Sequence, residues 1–211
     1  MCIRDRRNAT PPDAPNRFVI NIQPEQKAQI EARLAQNDIS GNDLYPMIRG
    51  RLLAINGKEI TGETFIEDRA KRLVDREFNL STTLKIPEQN EITAGRWYDN
   101  SKPEASVEAG LAKTLNLKLG DRLKFDVAGE TVEVPITSLR KLEWGSMRVN
   151  FFVIINPAAM KDMPQTWITA FHLPQTNTGL ENQLTRDFPN LTVVDIGSML
   201  KPVSYTHLRA H

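Results

Sequence analysis

Residues 123–136 constrain the fold more than any other stretch of the chain. Leu123, Phe125 and Val127 alternate with polar neighbours, Ala128-Gly129 forms a break, and Val132, Val134 and Ile136 alternate again. A period of two places every second side chain on one face, so the stretch predicts a β-hairpin with one buried and one solvated face. A lone hairpin is marginal in water. The chain must therefore build more sheet around this one. Pro135 has no N–H to give to a ladder, which predicts an edge or a gap beside it.

The rest of the chain supplies partners. Phe18, Ile20 and Ile22 alternate as a half-buried strand. Pro24 opens a helix to about Asn37, with Ile30 and Leu34 one turn apart on a narrow apolar stripe. Leu44 to Asn56 reads as a long strand closed by the turn Asn56-Gly57. Residues 63–77 predict a short helix, and 78–105 read as irregular, broken by Pro87, Gly95 and Pro103. Val107, Leu111 and Leu115 recur every fourth residue, as on a helix. Asn150 to Ile155 and Trp167 to Leu173 read as strands. Thr178 with Glu181 forms a capping box for a helix carrying Leu180, Leu184 and Phe188, and Leu191 to Ile196 is the last strand.

Strand, helix, strand thus occurs at 17–56 and again at 167–196, around a β-rich middle. The grouping predicts an α+β fold: split ferredoxin-like (porter-like) βαβ halves with an inserted β-rich subdomain. Residues 16–56 plus 165–200 form the porter-like subdomain and 57–164 the insertion. Residues 1–15 read as a non-native end and linker and 202–211 as a non-native tail. Met1-Cys2-Ile3-Arg4-Asp5-Arg6 and Val203-Ser204-Tyr205-Thr206-His207-Leu208 resemble adaptor read-through. The natural protein is expected to continue past both ends.

Composition removes several classes of function. Lys+Arg 27 against Asp+Glu 26 gives a net charge of +1, and setting the two ends aside removes Arg4, Arg6, Arg7 and Arg209 but only Asp5. The body is then slightly acidic, without the clustered cations that nucleic-acid binding needs. The longest apolar run is Phe151 to Ile155, far short of the roughly 20 residues of a membrane-spanning helix. The one cysteine is Cys2 and the one histidine of the body is His172, so neither a His/Cys zinc site nor a disulfide framework can assemble there. The sequence has no G-x-x-x-x-G-K-[ST], G-x-G-x-x-G, H-E-x-x-H or G-x-S-x-G. No cofactor, metal or catalytic residue is therefore assigned. A Ser/His/Asp relay, and with it a small hydrolase, would need His172, which reads as a half-exposed structural histidine on a strand. Glu67, Asp68, Asp75 and Glu77 lie among Arg69, Lys71, Arg72 and Arg76, as on a solvated helix face.

Two groups of arginines and aromatics stand apart. One is Tyr45 with Arg49 and Arg51; the other is Arg140, Trp144 and Arg148, just before Asn150-Phe151-Phe152. Arg and aromatic residues dominate contact patches between proteins or domains, which makes these six candidates for partner or interdomain contact. The other reading is that Trp144 caps the core and the cations are solvated.

Taken together, several blocks resemble the periplasmic domain of FtsX/MacB-type ABC transporter permeases, above all those of the YbbP type. They are Tyr45-Pro46 through Arg51-Leu52, Ala54-Ile55-Asn56-Gly57, Arg76-Glu77-Phe78-Asn79-Leu80, Gly95-Arg96-Trp97, Leu119-Gly120-Asp121, Ser138-Leu139-Arg140 through Trp144 to Asn150-Phe151-Phe152, and Phe188-Pro189 through Asp195-Ile196. The resemblance implies a non-catalytic extracytoplasmic module of an inner-membrane protein, this segment lying in the periplasm. It implies a cytoplasmic ATPase subunit as partner, reached through transmembrane segments outside this sequence, and a second permease copy as a further partner. ATP hydrolysis would power export or mechanotransmission from that separate subunit. The alternative is a free periplasmic binding or adaptor protein using the Arg/Trp surface.

Overall fold

The computed structural model describes residues 14–39, 43–87, 90–99, 101–143, 149–160 and 163–196. The chain is α+β and divides into two compact units, one built from residues up to 44 and from 167 onward, the other from 45–143 and 150–166.

In the first unit, β1 (Arg17–Ile22), β10 (Thr166–Phe171) and β11 (Thr192–Asp195) form a sheet of order β11-β1-β10. β10 and β11 each lie antiparallel to β1. They are therefore parallel to each other with β1 between them, and α4 (Leu180–Asp187) makes the crossover. The helix after β1 begins as a 3₁₀ turn at Pro24–Gln26 and continues as α1 (Lys27–Gln36), on which Ile30 and Leu34 are buried as the stripe predicts. With Val19, Ile22, Phe171, Leu180 and Leu184 they form the core of this unit. The Thr178 capping box does not form: Gly179 is the N-cap without a side-chain bond, and Asn177 Oδ1 accepts from Leu180 N instead. Asn21, at φ 65°, lies where the register of β1 on β10 shifts.

The second unit is organised by β2 (Tyr45–Ile55), β7 (Arg122–Val127) and β8 (Glu130–Leu142). The hairpin read from the alternation is β7–β8, in register from Val127↔Glu130 to Arg122↔Pro135. Pro135 stands at the end of that ladder, one residue before β8 begins to pair with β6 (Ala105–Glu108). The first half of β2 pairs with β4 (Phe78–Thr82) and its second half with β7. β4 pairs with β9 (Val153–Ile155), β9 with β6, β6 with β8, and β8 with β7. The ladder thus returns to the strand it started from and makes a closed barrel. Closure leaves no unpaired edge around the ring. Its interior holds Leu52, Leu80, Val107, Phe125, Val134 and Val153. β3 (Lys58–Glu59) adds a short hairpin to β2, and β5 (Asn90–Gly95) lies along the second half of β8.

Gly50 marks the corner where β2 passes from β4 to β7, pairing with Phe78 while Arg51 pairs with Asp126. A Cβ there would meet Leu80 Cδ1 at 2.7 Å and Val127 Cγ2 at 3.3 Å, so a larger residue at this corner would have to push the Leu80 side chain aside.

Three expectations for the middle are corrected. Residues 78–105 are not simply irregular, because β4 and β5 lie within them. Val107, Leu111 and Leu115 do not share a helix: Val107 is on β6, and α3 (Ala109–Leu115) starts after it, capped by Glu108, whose carboxylate accepts from Gly110 N and Leu111 N. The helix expected over 63–77 is the shorter α2 (Asp68–Val74).

Two of the sequence blocks meet where the end of β2 adjoins the start of β7. Asn56 Nδ2 donates to Asp121 Oδ1 at 3.0 Å, Arg122 N to Asn56 Oδ1 at 2.8 Å, and Lys118 N to Asp121 Oδ2 at 2.8 Å. The Asn-Gly turn after β2 and the Gly-Asp turn before β7 are therefore stapled together. This is why both blocks carry amide and carboxylate side chains.

Candidate functional site

Period-two alternation in β8 runs past the apolar residues. Val132, Val134, Ile136, Ser138, Arg140 and Leu142 are all buried. A register shift against β6, where Ala105 pairs with Ile136 but Ser106 with Ser138, turns Ser138 and Arg140 onto the face of Ser106, opposite the face that carries Val107 and Ile136. Arg140 is completely buried, and its guanidinium ties four segments together. Its Nε donates to Ser106 Oγ on β6 at 2.8 Å and its Nη1 to Asn90 Oδ1 on β5 at 2.7 Å. Its Nη2 reaches the carbonyls of Phe151 at 2.8 Å, Phe152 at 3.2 Å and Ser106 at 3.3 Å. Ser138 Oγ donates to Ser106 Oγ at 2.7 Å, and Asn90 Nδ2 donates to Asn150 Oδ1 at 3.2 Å.

Burial pulls the Arg140 guanidinium down to about 10, against the pull of the Glu108 carboxylate toward the charged form. It is therefore charged at neutral pH while buried. Among the described residues no carboxylate forms an ion pair with it; neutral oxygens take its protons. Five bonds spread over a fixed planar fork suit arginine and would not suit lysine.

A second polar cluster closes the neighbouring loop. Arg96 Nη2 donates to Glu104 Oε1 at 2.9 Å and Arg96 Nη1 to Glu104 Oε2 at 3.3 Å, a two-pronged pair. Asp99 N donates to Glu104 Oε2 at 2.9 Å, Asn156 Nδ2 to the Asp99 carbonyl at 3.0 Å, and Glu104 N to Asn156 Oδ1 at 3.2 Å. Asn156 is fully buried. The Tyr98 hydroxyl donates to the Thr83 carbonyl, and burial pushes its phenol up. Trp97 stacks on Tyr98 with ring centroids 4.3 Å apart, and its Nε1 donates to the Leu84 carbonyl at 3.0 Å.

Burial alone would raise the Glu104 carboxyl, but the Arg96 guanidinium and the Asp99 N–H hold it below the usual range. A carboxyl whose folded value is depressed contributes stability above its unfolded value, about 4.3, and loses it as pH falls through the lower folded value. The urea midpoint is expected to fall on acidification below about pH 5. In Glu104→Gln this part of the acid dependence should vanish while the neutral midpoint drops. An unchanged acid slope in the variant would refute the assignment.

The six contact candidates fall into four groups. Arg140 is a correction: its side chain is spent on internal bonds and offers nothing to a surface. Tyr45 is half-buried and meets Phe151 edge-on at 6.2 Å. Arg49 and Arg51 are exposed on one face of β2, opposite Asn79 and Asp126 in the ladder. Trp144 and Arg148 lie outside the described residues. Spacing from Val134 would have placed Ser138 and Arg140 inside. Asn90, Ser106 and Glu104 carried no comparable sequence signal.

His172 is half-exposed, with Nδ1 3.0 Å from the Ala14 carbonyl. That contact makes Nδ1 the protonated nitrogen. Among the described residues no group of three or more His, Cys, Asp or Glu is placed to hold a metal ion. No helix among them is long and apolar enough to cross a membrane, which says nothing of a β-barrel.

No protein-family model matches the chain. The chain is nonetheless similar, along nearly all of its length, to one segment of an ABC transporter permease. That protein is the uncharacterized ABC transporter permease YbbP of Escherichia coli strain K12, 42% identical over 193 residues, 92% of this chain. The chain spans 23% of the length of that relative. A crystal structure of a domain assigned to a permease protein of Porphyromonas gingivalis aligns at a TM-score of 0.34 and 12% identity, over 86% of this chain and 82% of that one. So low a score supports no argument about this chain.

Proposed function

We propose that this chain is the non-catalytic extracytoplasmic domain of an FtsX/MacB-type ABC transporter permease of the inner membrane. It stands in the periplasm and passes ATPase-driven motion into export or mechanotransmission. The observation that carries the reading is the similarity of nearly the whole chain to one segment of an ABC transporter permease. The order β11-β1-β10 with the α4 crossover supports a split ferredoxin-like, porter-like layer for the first unit. The closed barrel supports a second unit that moves as one body, since no strand of the ring can peel off without breaking two ladders. ATP hydrolysis belongs to a separate cytoplasmic ATPase subunit, with a second permease copy as a further partner; the chain carries no G-x-x-x-x-G-K-[ST].

The test uses the full-length permease containing this segment, in a background without other cysteines. A single cysteine at the exposed position Arg49 or Glu130 is expected to react with a membrane-impermeant maleimide in intact spheroplasts. Reaction only after lysis would overturn the periplasmic placement. A full-length gene without membrane-spanning segments would instead favour a free periplasmic binding or adaptor protein.

A further inference from the structure

The loop between β4 and β5 shows its apolar side chains to solvent. Leu84 is 56% and Ile86 40% exposed, on either side of an exposed Lys85. The backbone beneath them is held. The Thr83 carbonyl accepts from Tyr98 and the Leu84 carbonyl from Trp97 Nε1, and the two aromatic rings are stacked on each other. Ordering a loop on binding costs conformational entropy, and two bonds from rigid rings have already met that cost here. The side chains of this tip are Leu, Lys and Ile beside a partly buried Trp.

Leucine and isoleucine seek the acyl boundary of a bilayer, while tryptophan and the long cationic side chains settle at the headgroups. A protein partner is a poorer fit. Stable protein interfaces take roughly 800 Å² from each side, and two partly exposed side chains on a narrow tip offer far less. A bilayer sets no such minimum, and a module joined covalently to membrane segments meets it at high effective concentration. We infer that the Leu84-Lys85-Ile86 tip dips into the interface of the phospholipid bilayer beside which the domain stands. The inference rests on the extracytoplasmic reading and adds to it a lipid contact that orients the barrel.

The test uses the 211-residue chain with Cys2→Ser, tethered through a C-terminal hexahistidine to phosphatidylcholine/phosphatidylglycerol vesicles carrying nickel-chelating lipid. An environment-sensitive fluorophore is attached at Leu84→Cys, at Ile86→Cys, or at Leu119→Cys as the exposed control. Emission is expected to shift to the blue and rise several-fold at 84 and 86 when vesicles are added, and to be quenched by lipids labelled on the acyl chain, with no change at 119. Adding Ile86→Asp to the Leu84→Cys chain, which leaves the Tyr98 and Trp97 bonds in place, should abolish the shift. No shift at 84 and 86, an equal shift at 119, or a shift that follows protein concentration without vesicles would overturn the lipid contact, the last pointing to self-association. Maleimide labelling from the periplasm together with no shift would remove this inference and leave the functional reading standing.

Discussion

Replacing Arg140 by methionine is expected to destabilise the second unit by on the order of 3–5 kcal/mol, although the volume of the side chain is largely kept. The reason lies in what is left behind. The carbonyls of Ser106 and Phe151 and the Ser106 hydroxyl each lose a donor in a buried place, and the part-buried Phe152 carbonyl and Asn90 amide oxygen lose one as well. A buried acceptor left without a partner costs about 1–3 kcal/mol. The removed desolvation cost of the guanidinium offsets part of the sum, which is why the expected total stays below the simple addition of those losses. Arg140→Lys keeps the charge but has one nitrogen for acceptors spread over three segments, so it should recover less than half of the loss. Urea unfolding of the three proteins measures this directly. A methionine variant within about 1 kcal/mol of the parent would show that the polar hub is dispensable.

The second large effect is expected at Gly95. Its φ is +75°, and an added Cβ would run into the backbone carbonyl of Thr137. That carbonyl accepts from Arg96 N at 2.9 Å, so the two chains cannot separate without losing the bond. Positive φ costs an L residue roughly 1–2 kcal/mol, and forcing the ladder apart adds about 1–3 kcal/mol. Gly95→Ala should therefore lose on the order of 3 kcal/mol. Gly129 is the comparison, because its φ is +89° and an added Cβ would meet nothing within 4 Å. Gly129→Ala should show only the conformational part, about 1 kcal/mol. Equal losses at the two positions, read from urea midpoints, would rule out the close approach at Gly95.

These two residues show what the sequence made legible. Alternation in 123–136 specified the β7–β8 hairpin and its buried face. The same period, carried on through Ser138 and Arg140 to Leu142, falls on buried residues too, but a register shift against β6 turns Ser138 and Arg140 onto the other face of the sheet. Hydrophobicity hides that continuation, because a serine and an arginine at buried positions look like the end of a strand. Their partners were not legible, since Asn90 and Ser106 lie 50 and 34 residues away in sequence and alternation says nothing about which strands meet. Short strands were missed for a related reason: β5 alternates through residues such as Ile92 and Ala94 that are only half-buried, so its apolar signal is faint. Val107, Leu111 and Leu115 mislead in the opposite way. Their spacing matches a helical stripe, yet a strand and a capped helix meeting at Glu108 bring them into one core.

The barrel also has a consequence for how the polypeptide is laid out. Ser81 Oγ on β4 donates to the Pro46 carbonyl at the start of β2, and Thr82 pairs with Ile155 at the end of β9. The strand by which the chain enters the ring and the strand by which it leaves therefore have their outer ends at the same rim, flanking the end of β4. The ladder of β1 with β10 and β11 is made from other residues. A ring with both of its doors on one side takes in the chain and returns it at a single rim.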